Sequence, residues 1–298
     1  MNSNPLDRHA LGRRLTALAN ASASDLLRLQ RGEPPASHAR RIGLTGAPGA
    51  GKSTLAGRLA LHRAGDRRLG VLAVDPSSPK SGGAILGDRI RMDELPGSAQ
   101  LYIRSIGSRT ASDGLSDNLP EMLDVMDEFG FEEVLLETVG VGQAEYAARA
   151  QVDTLLLVLL PESGDVVQAM KAGIMEMADI FVVNKADLSG AQKMAADIQR
   201  ISALARHAAD AWRPPVLLVS SSQPESIAAL SATIDAHQAW LAGHNRGASL
   251  LQERARYRLR RLIERRAASA VAALDAQALD APLRQQLDQV LRAVREMA

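Results

Sequence analysis

Between residues 42 and 64 an apolar run, a glycine-rich loop and a helix-forming stretch follow one another in this chain. The loop reads Gly46-Ala47-Pro48-Gly49-Ala50-Gly51-Lys52-Ser53, a complete G-x-x-x-x-G-K-[ST] pattern, with Thr54 next. No other feature constrains the fold as much. A strand delivers the loop, consecutive backbone N–H groups surround a phosphate, and the helix N-terminus adds positive potential. Lys52 is placed to reach the β- and γ-phosphates, and the Ser53 hydroxyl to ligate Mg2+. A glycine-rich turn that binds nothing would not need the Lys-Ser pair.

Six further apolar runs follow Ile42–Thr45: Val71–Val74, Leu101–Ile103, Val134–Leu136, Thr154–Leu160, Ile180–Val183 and Val216–Val219. Near-continuous apolar strands separated by amphipathic stretches predict an α/β fold with a mainly parallel sheet covered by helices on both faces. This unit is expected over residues 39–245. Residues 1–38 read as a helical extension, with leucines at helical spacing over 7–30 and a break at Gly32 and Pro34–Pro35. Residues 246–298 carry no strand pattern and read as a helical arm, one helix over 250–274 and another from Pro282 to Glu296. Leu251, Leu259, Leu262, Ile263, Val271 and Leu274 make an apolar stripe suited to helix–helix docking, hence a homodimer.

Base recognition is expected after the run Ile180–Val183, where Asn184-Lys185-Ala186-Asp187 stands. The Asp187 carboxylate can accept both N1–H and N2–H2 of guanine, a pair that adenine lacks. Asn184 would tie loops together, and the aliphatic stem of Lys185 would cover the purine. Ser220, Ser221 and Ser222 would form the last base-contacting loop. Around the phosphates, Glu137 ends Val134–Leu136 and is the expected Mg2+-organising carboxylate. Gly140 would offer its N–H to the γ-phosphate. Asp75 ends a second strand at the same crevice, and Asp88 sits in a glycine-punctuated segment. Gln143 is a candidate to orient the attacking water.

Composition removes other classes. The 298 residues contain no cysteine, which excludes disulfides, thiolate zinc sites, iron–sulfur clusters and a cysteine nucleophile. A metal-delivery GTPase would need Cys and His at ligand spacing, and the six His read as scattered surface residues. A P-loop kinase would prefer ATP, against the N-K-x-D signal. With three Phe, three Tyr and two Trp, platforms for stacking single-stranded nucleic acid are not expected. The net charge is +1, although seven arginines gather between Arg254 and Arg266. A basic helix face of this kind is expected to be solvated or partner-facing rather than nucleic-acid- or membrane-binding. The longest apolar run is too short to span a bilayer, and the N-terminus lacks a signal-peptide core, so a cytoplasmic protein is expected.

Together, GAPGAGKST, VLAVDPSSPKSGGAILGDRIRM, LLETVGVGQAE and GIMEMADIFVVNKAD resemble the MeaB/ArgK-type P-loop GTPases, closely over residues 40–190. These are the G-protein chaperones of adenosylcobalamin-dependent acyl-CoA mutases. The resemblance implies a signal-recognition/MinD-like fold with a helical N-terminal extension and a C-terminal dimerisation arm. It implies GTP and Mg2+ as ligands, slow intrinsic hydrolysis and stimulation by the mutase. Cobalamin would be met only through that partner, whose loading, protection and reactivation the GTPase gates, with a cobalamin adenosyltransferase as a further partner. It carries Lys52 and Ser53 onto the phosphate-loop pair, Asp75, Asp88 and Glu137 onto the Mg2+-linked carboxylates, and Gln143 onto the second switch. Residues 161–171, with Gly164, Asp165 and Lys171, resemble an extra switch. Ala144 in place of Ser, and the divergent Thr110–Gly114, depart from the family pattern and leave a related isobutyryl- or hydroxyisobutyryl-type mutase open as the client.

Overall fold

A computed structural model describes residues 5–29, 37–65, 67–76, 100–108, 118–138, 147–161, 174–204 and 210–296, and every structural statement below concerns these. Each of the seven apolar runs forms a strand: β1 Arg40–Thr45, β2 Leu69–Pro76, β3 Leu101–Ser108, β4 Glu133–Glu137, β5 Thr154–Leu159, β6 Ile180–Asn184 and β7 Val216–Val219. They make one sheet in the order β3-β2-β4-β1-β5-β6-β7, and every neighbouring pair is parallel. The fold is thus the expected α/β class.

The described helices are α1 Arg8–Asn20, α2 Ala23–Leu29, α3 Lys52–Ala64, α4 Leu119–Glu128, α5 Ala191–Leu204, α6 Pro224–Gly243, α7 Arg246–Ala272, α8 Ala276–Leu279 and α9 Leu283–Glu296. Period-two alternation sends strand side chains to opposite faces, and both faces are buried. Leu72 and Val74 of β2 with Val134 and Leu136 of β4 pack toward α1, α4 and Tyr257 of α7. Val71, Ala73 and Leu135 pack instead with Leu55, Leu59, Leu230 and Ile234 of α3 and α6.

The expected helical N-terminal extension is made of two helices. Ser22 and Asp25 cap each other reciprocally, the Ser22 amide donating to Asp25 and the Asp25 amide to Ser22 Oγ, so a new helix starts where Ala21 turns extended. Leu11 and Leu15 of α1 are fully buried, which makes this extension part of the core. Truncating either to Ala would cost about 2–5 kcal/mol.

The arginine-rich helix α7 also differs from expectation. Its inward face carries arginines beside Leu250, Tyr257 and Ala270. Arg254 donates to Asp153 at 2.6 Å, Arg258 pairs with Asp124, and Arg265 donates to Asn118 Oδ1. Arg254 and Arg266 are buried. Asp153, just before β5, and Asp124 of α4 take counter-charges from α7. The apolar residues Leu251, Leu259, Ile263 and Val271 consequently face outward, with Leu259 59% exposed. No described helix is long and apolar enough to cross a membrane.

One histidine reverses the surface expectation. His237 of α6 is 1% exposed, 2.9 Å from Thr154 Oγ1 through Nδ1 and 3.4 Å from Asp179 through Nε2. Trp212 and Trp240 pack on its ring. Asp179 also accepts from Arg149 at 2.9 Å and from the Leu155 amide at 2.7 Å. Burial pushes the Asp179 carboxyl up to about 6, against the pull of Arg149, and pushes His237 down to about 4, with Arg149 adding to the shift.

These two shifts oppose each other. A raised carboxyl stabilises the fold at low pH and loses that contribution as pH rises through about 6. A depressed imidazole stabilises it above the ordinary His value and loses that contribution as pH falls toward about 4. Between those values the folded pair holds its proton on Asp179 and the unfolded chain holds it on His237, so the two slopes cancel. Asp179→Asn should therefore expose the His237 slope. Its stability deficit relative to wild type, read from urea midpoints, should widen as pH falls from 7 to 5, by up to about 1.4 kcal/mol per pH unit. A deficit independent of pH would contradict this account.

Candidate nucleotide site at the carboxyl edge of the sheet

The phosphate loop leaves β1 between β4 and β5, where the chain connections diverge to either side of the sheet. Two glycines fix its shape. Gly46 has φ +138°, and a Cβ there would lie 2.0 Å from the Val158 carbonyl oxygen of β5. Gly51 has φ +82°, and a Cβ would meet Asn184 Nδ2 at 2.6 Å. Both positions therefore need glycine for backbone conformation and for room. Lys52 opens α3 and is buried, its Nζ donating to Gly46 O at 2.7 Å and Ala47 O at 3.0 Å. The ammonium thus lies folded over the loop it would serve.

Ser53 Oγ donates to Glu137 Oε1 at 2.6 Å. The approach follows from sheet register, since Glu137 ends β4 opposite Leu44 of β1. Thr138 secures the junction through its amide to Leu44 O at 3.0 Å and its hydroxyl to Thr45 Oγ1 at 3.1 Å. A hydroxyl and a carboxylate are hard oxygen donors of the kind Mg2+ uses, with phosphates and waters completing its shell. Among the described residues no three His, Asp or Glu side chains form a self-sufficient metal cage. The pair fits an ion shared with a phosphate ligand.

On the other side of β1, Asn184 ends β6 and is 3% exposed. Its Nδ2 donates to Ala50 O at 2.8 Å, so the Asn184–Asp187 turn is tied directly to the phosphate loop. Lys185 takes a left-handed conformation, φ +53°, unusual outside glycine. Asp187 Oδ1 accepts from Ser220 Oγ at 2.7 Å, and Ser220 Oγ lies 2.8 Å from Ser222 Oγ. The Ser220 hydrogen bond holds the Asp187 carboxyl below the usual carboxylate range.

Of the residues singled out from sequence, 46–54, Glu137, Asn184, Lys185, Asp187 and Ser220–Ser222 line one sheet edge. Asp75 lies within β2, near that strand's carboxyl end and so at the same edge, but its side chain lies outside the described residues. Asp88, Gly140 and Gln143, the divergent 110–114, Ala144 and residues 162–171 also lie outside them. Sequence reasoning missed Ser226, whose hydroxyl bonds the backbone of Ser220. The Pro224 helix start two residues earlier was the available signal.

A sequence model of the family described as methylmalonyl-CoA mutase-associated GTPase MeaB matches residues 11–276. A protein named as a GTPase from Pyrococcus horikoshii is 37% identical over 242 residues, covering 79% of this chain and 75% of that protein. One so named from Mycobacterium tuberculosis is 39% identical over 248 residues, covering 80% and 73%. The mouse mitochondrial methylmalonic aciduria type A homolog is 40% identical over 193 residues, 63% of this chain and 46% of that one. The crystal structure of a LAO/AO transport system kinase shares the fold, with a TM-score of 0.60 at 22% identity, covering 98% of this chain and all of the other.

Proposed function

From membership of the MeaB family of methylmalonyl-CoA mutase-associated GTPases, to which this chain belongs, we infer a G protein that gates cobalamin loading of an adenosylcobalamin-dependent acyl-CoA mutase. In this reading it also protects and reactivates that enzyme. One observation carries the nucleotide half of the reading. The Lys52 loop, the Ser53–Glu137 pair and the Asp187–Ser220 pair share one edge and are joined by the Asn184–Ala50 hydrogen bond.

The residues divide the work. Backbone N–H groups of 46–54 cradle the phosphates, and Lys52 Nζ offers charge to the β- and γ-phosphate oxygens, where charge develops during hydrolysis. Ser53 and Glu137, with Asp75 and Asp88, would hold Mg2+, which when bound would neutralise the phosphates. Gly140 and Gln143 are proposed to sense the γ-phosphate and orient the attacking water. Asp187 accepts from the guanine edge, Lys185 covers its face, and Ser220–Ser222 close the base side.

Cobalamin is met only through the mutase, with a cobalamin adenosyltransferase as a further partner and the cytoplasm as the setting. The loop 161–171 would link mutase docking to hydrolysis. Residues 39–245 form the nucleotide-binding unit, 1–38 an extension and 246–298 a dimerisation arm. The outward leucines of that arm support a homodimer, with Leu283, Leu287 and Leu291 of α9 79%, 55% and 52% exposed at one-turn spacing.

Three measurements test these statements. Asp187→Asn should exchange guanosine for xanthosine triphosphate preference, because the amide can donate to the xanthine 2-oxo group; retained guanine preference would remove the base assignment. A purified cognate mutase should raise GTP turnover by about tenfold or more, as partner-completed GTPase sites do, and an unchanged rate would remove the chaperone mechanism. Leu287→Asp should convert a dimer to monomer in sedimentation, while a wild type that sediments as a monomer would end the dimer reading.

A further inference from the structure

Ser226 stands in the first turn of α6, outside the loop that faces the base. Its Oγ accepts the Ser220 amide at 3.1 Å and lies 3.0 Å from Ser220 O and 2.7 Å from Gln223 O, either of which can take its proton. The Gln223 amide donates to Ser220 O at 3.0 Å, and the Ser226 amide to Gln223 O at 3.0 Å. Ser220 is therefore gripped at both its backbone polar atoms.

The direction of the side-chain bonds follows from proton counting. A serine hydroxyl has one proton, and an ionised carboxylate only accepts. Ser220 Oγ gives its proton to Asp187 Oδ1, so in its contact with Ser222 it must accept. The chain runs from Ser222 to Ser220 to Asp187, each bond polarising the next. Asp187 itself is exposed, whereas Ser220 is 2% exposed. An exposed carboxylate held by a buried, backbone-clamped hydroxyl loses rotamer freedom before the ligand arrives, which lowers the ordering cost of binding.

We propose that Ser226 is a positioning residue for guanine selection, acting through the backbone of Ser220 to fix the Asp187 carboxylate toward the purine edge. The proposal rests on the guanine reading of Asp187. It assigns Ser226 no contact with nucleotide, so the effect of its loss falls on KM and on base discrimination rather than on kcat.

The test compares GTP with inosine triphosphate, which lacks the 2-amino group, in full-length wild type, Ser226→Ala and Ser226→Thr. Ser226→Ala should raise KM for GTP about tenfold, the size of one well-placed hydrogen bond. It should raise KM for inosine triphosphate less, shrinking the preference at least about threefold, and threonine should restore it. Ser220→Ala combined with Ser226→Ala should be no worse than Ser220→Ala alone, because both act on one carboxylate. If Ser226→Ala fails to fold, Ser226→Cys, similar in size with a weaker hydrogen bond, carries the same comparison. A wild type that favours GTP while the Ser226 variant keeps the same GTP-to-inosine ratio overturns the proposal, even if its thermal midpoint falls. A wild type without that preference overturns the guanine reading, and the proposal with it.

Discussion

Pairing of β1 with β4 on one side and β5 on the other is the constraint on which the site depends. It puts the phosphate loop at the point where chain connections separate and a crevice opens along a parallel edge. The same pairing brings Glu137 beside Ser53 and presses Gly46 against the Val158 carbonyl. Shifting β4 by one residue would turn Glu137 to the opposite face of the sheet. Sheet register is therefore part of the chemistry.

The opposite edge carries a different burden. Arg41, Glu133, Asp153 and Asp179 sit at or just before the starts of β1, β4, β5 and β6 and are met by partners of opposite charge. Arg41 donates to Asp127, Arg63 makes a two-pronged bond to Glu133, Arg254 pairs with Asp153 and Arg149 with Asp179. Buried ion pairs add little net stability, because desolvation offsets attraction, but losing one partner strands a charge. Such pairs penalise alternative registers, and Arg254 couples the C-terminal arm to the sheet. Asn118, just before α4, joins both terminal segments to that helix, donating to Leu18 O and Ala21 O while accepting from Arg265.

The sequence made the strands and the phosphate loop readable because both rest on local signals, apolar runs and glycine spacing. The placement of Asp187 at the same edge was readable too, because its motif directly follows a strand. Pairings between distant segments were not readable. Nothing near Arg254 in sequence announces Asp153, which is why the arginines read as an outward face. His237 looked like one of six scattered histidines, since its partners Thr154 and Asp179 lie far along the chain. Leucine spacing over 7–30 marked a helical extension, and the reciprocal Ser22–Asp25 cap divides it into two helices. Period alone does not register a cap that interrupts it.

The buried imidazole has an optical consequence. This chain contains two tryptophans, and both ring systems pack against His237 at the amino edge of the sheet. Intrinsic indole emission therefore reports one small aromatic nest, across the sheet from the nucleotide edge. A fluorescence change on adding nucleotide would not come from a tryptophan beside the ligand. It would measure what the sheet transmits from one edge to the other.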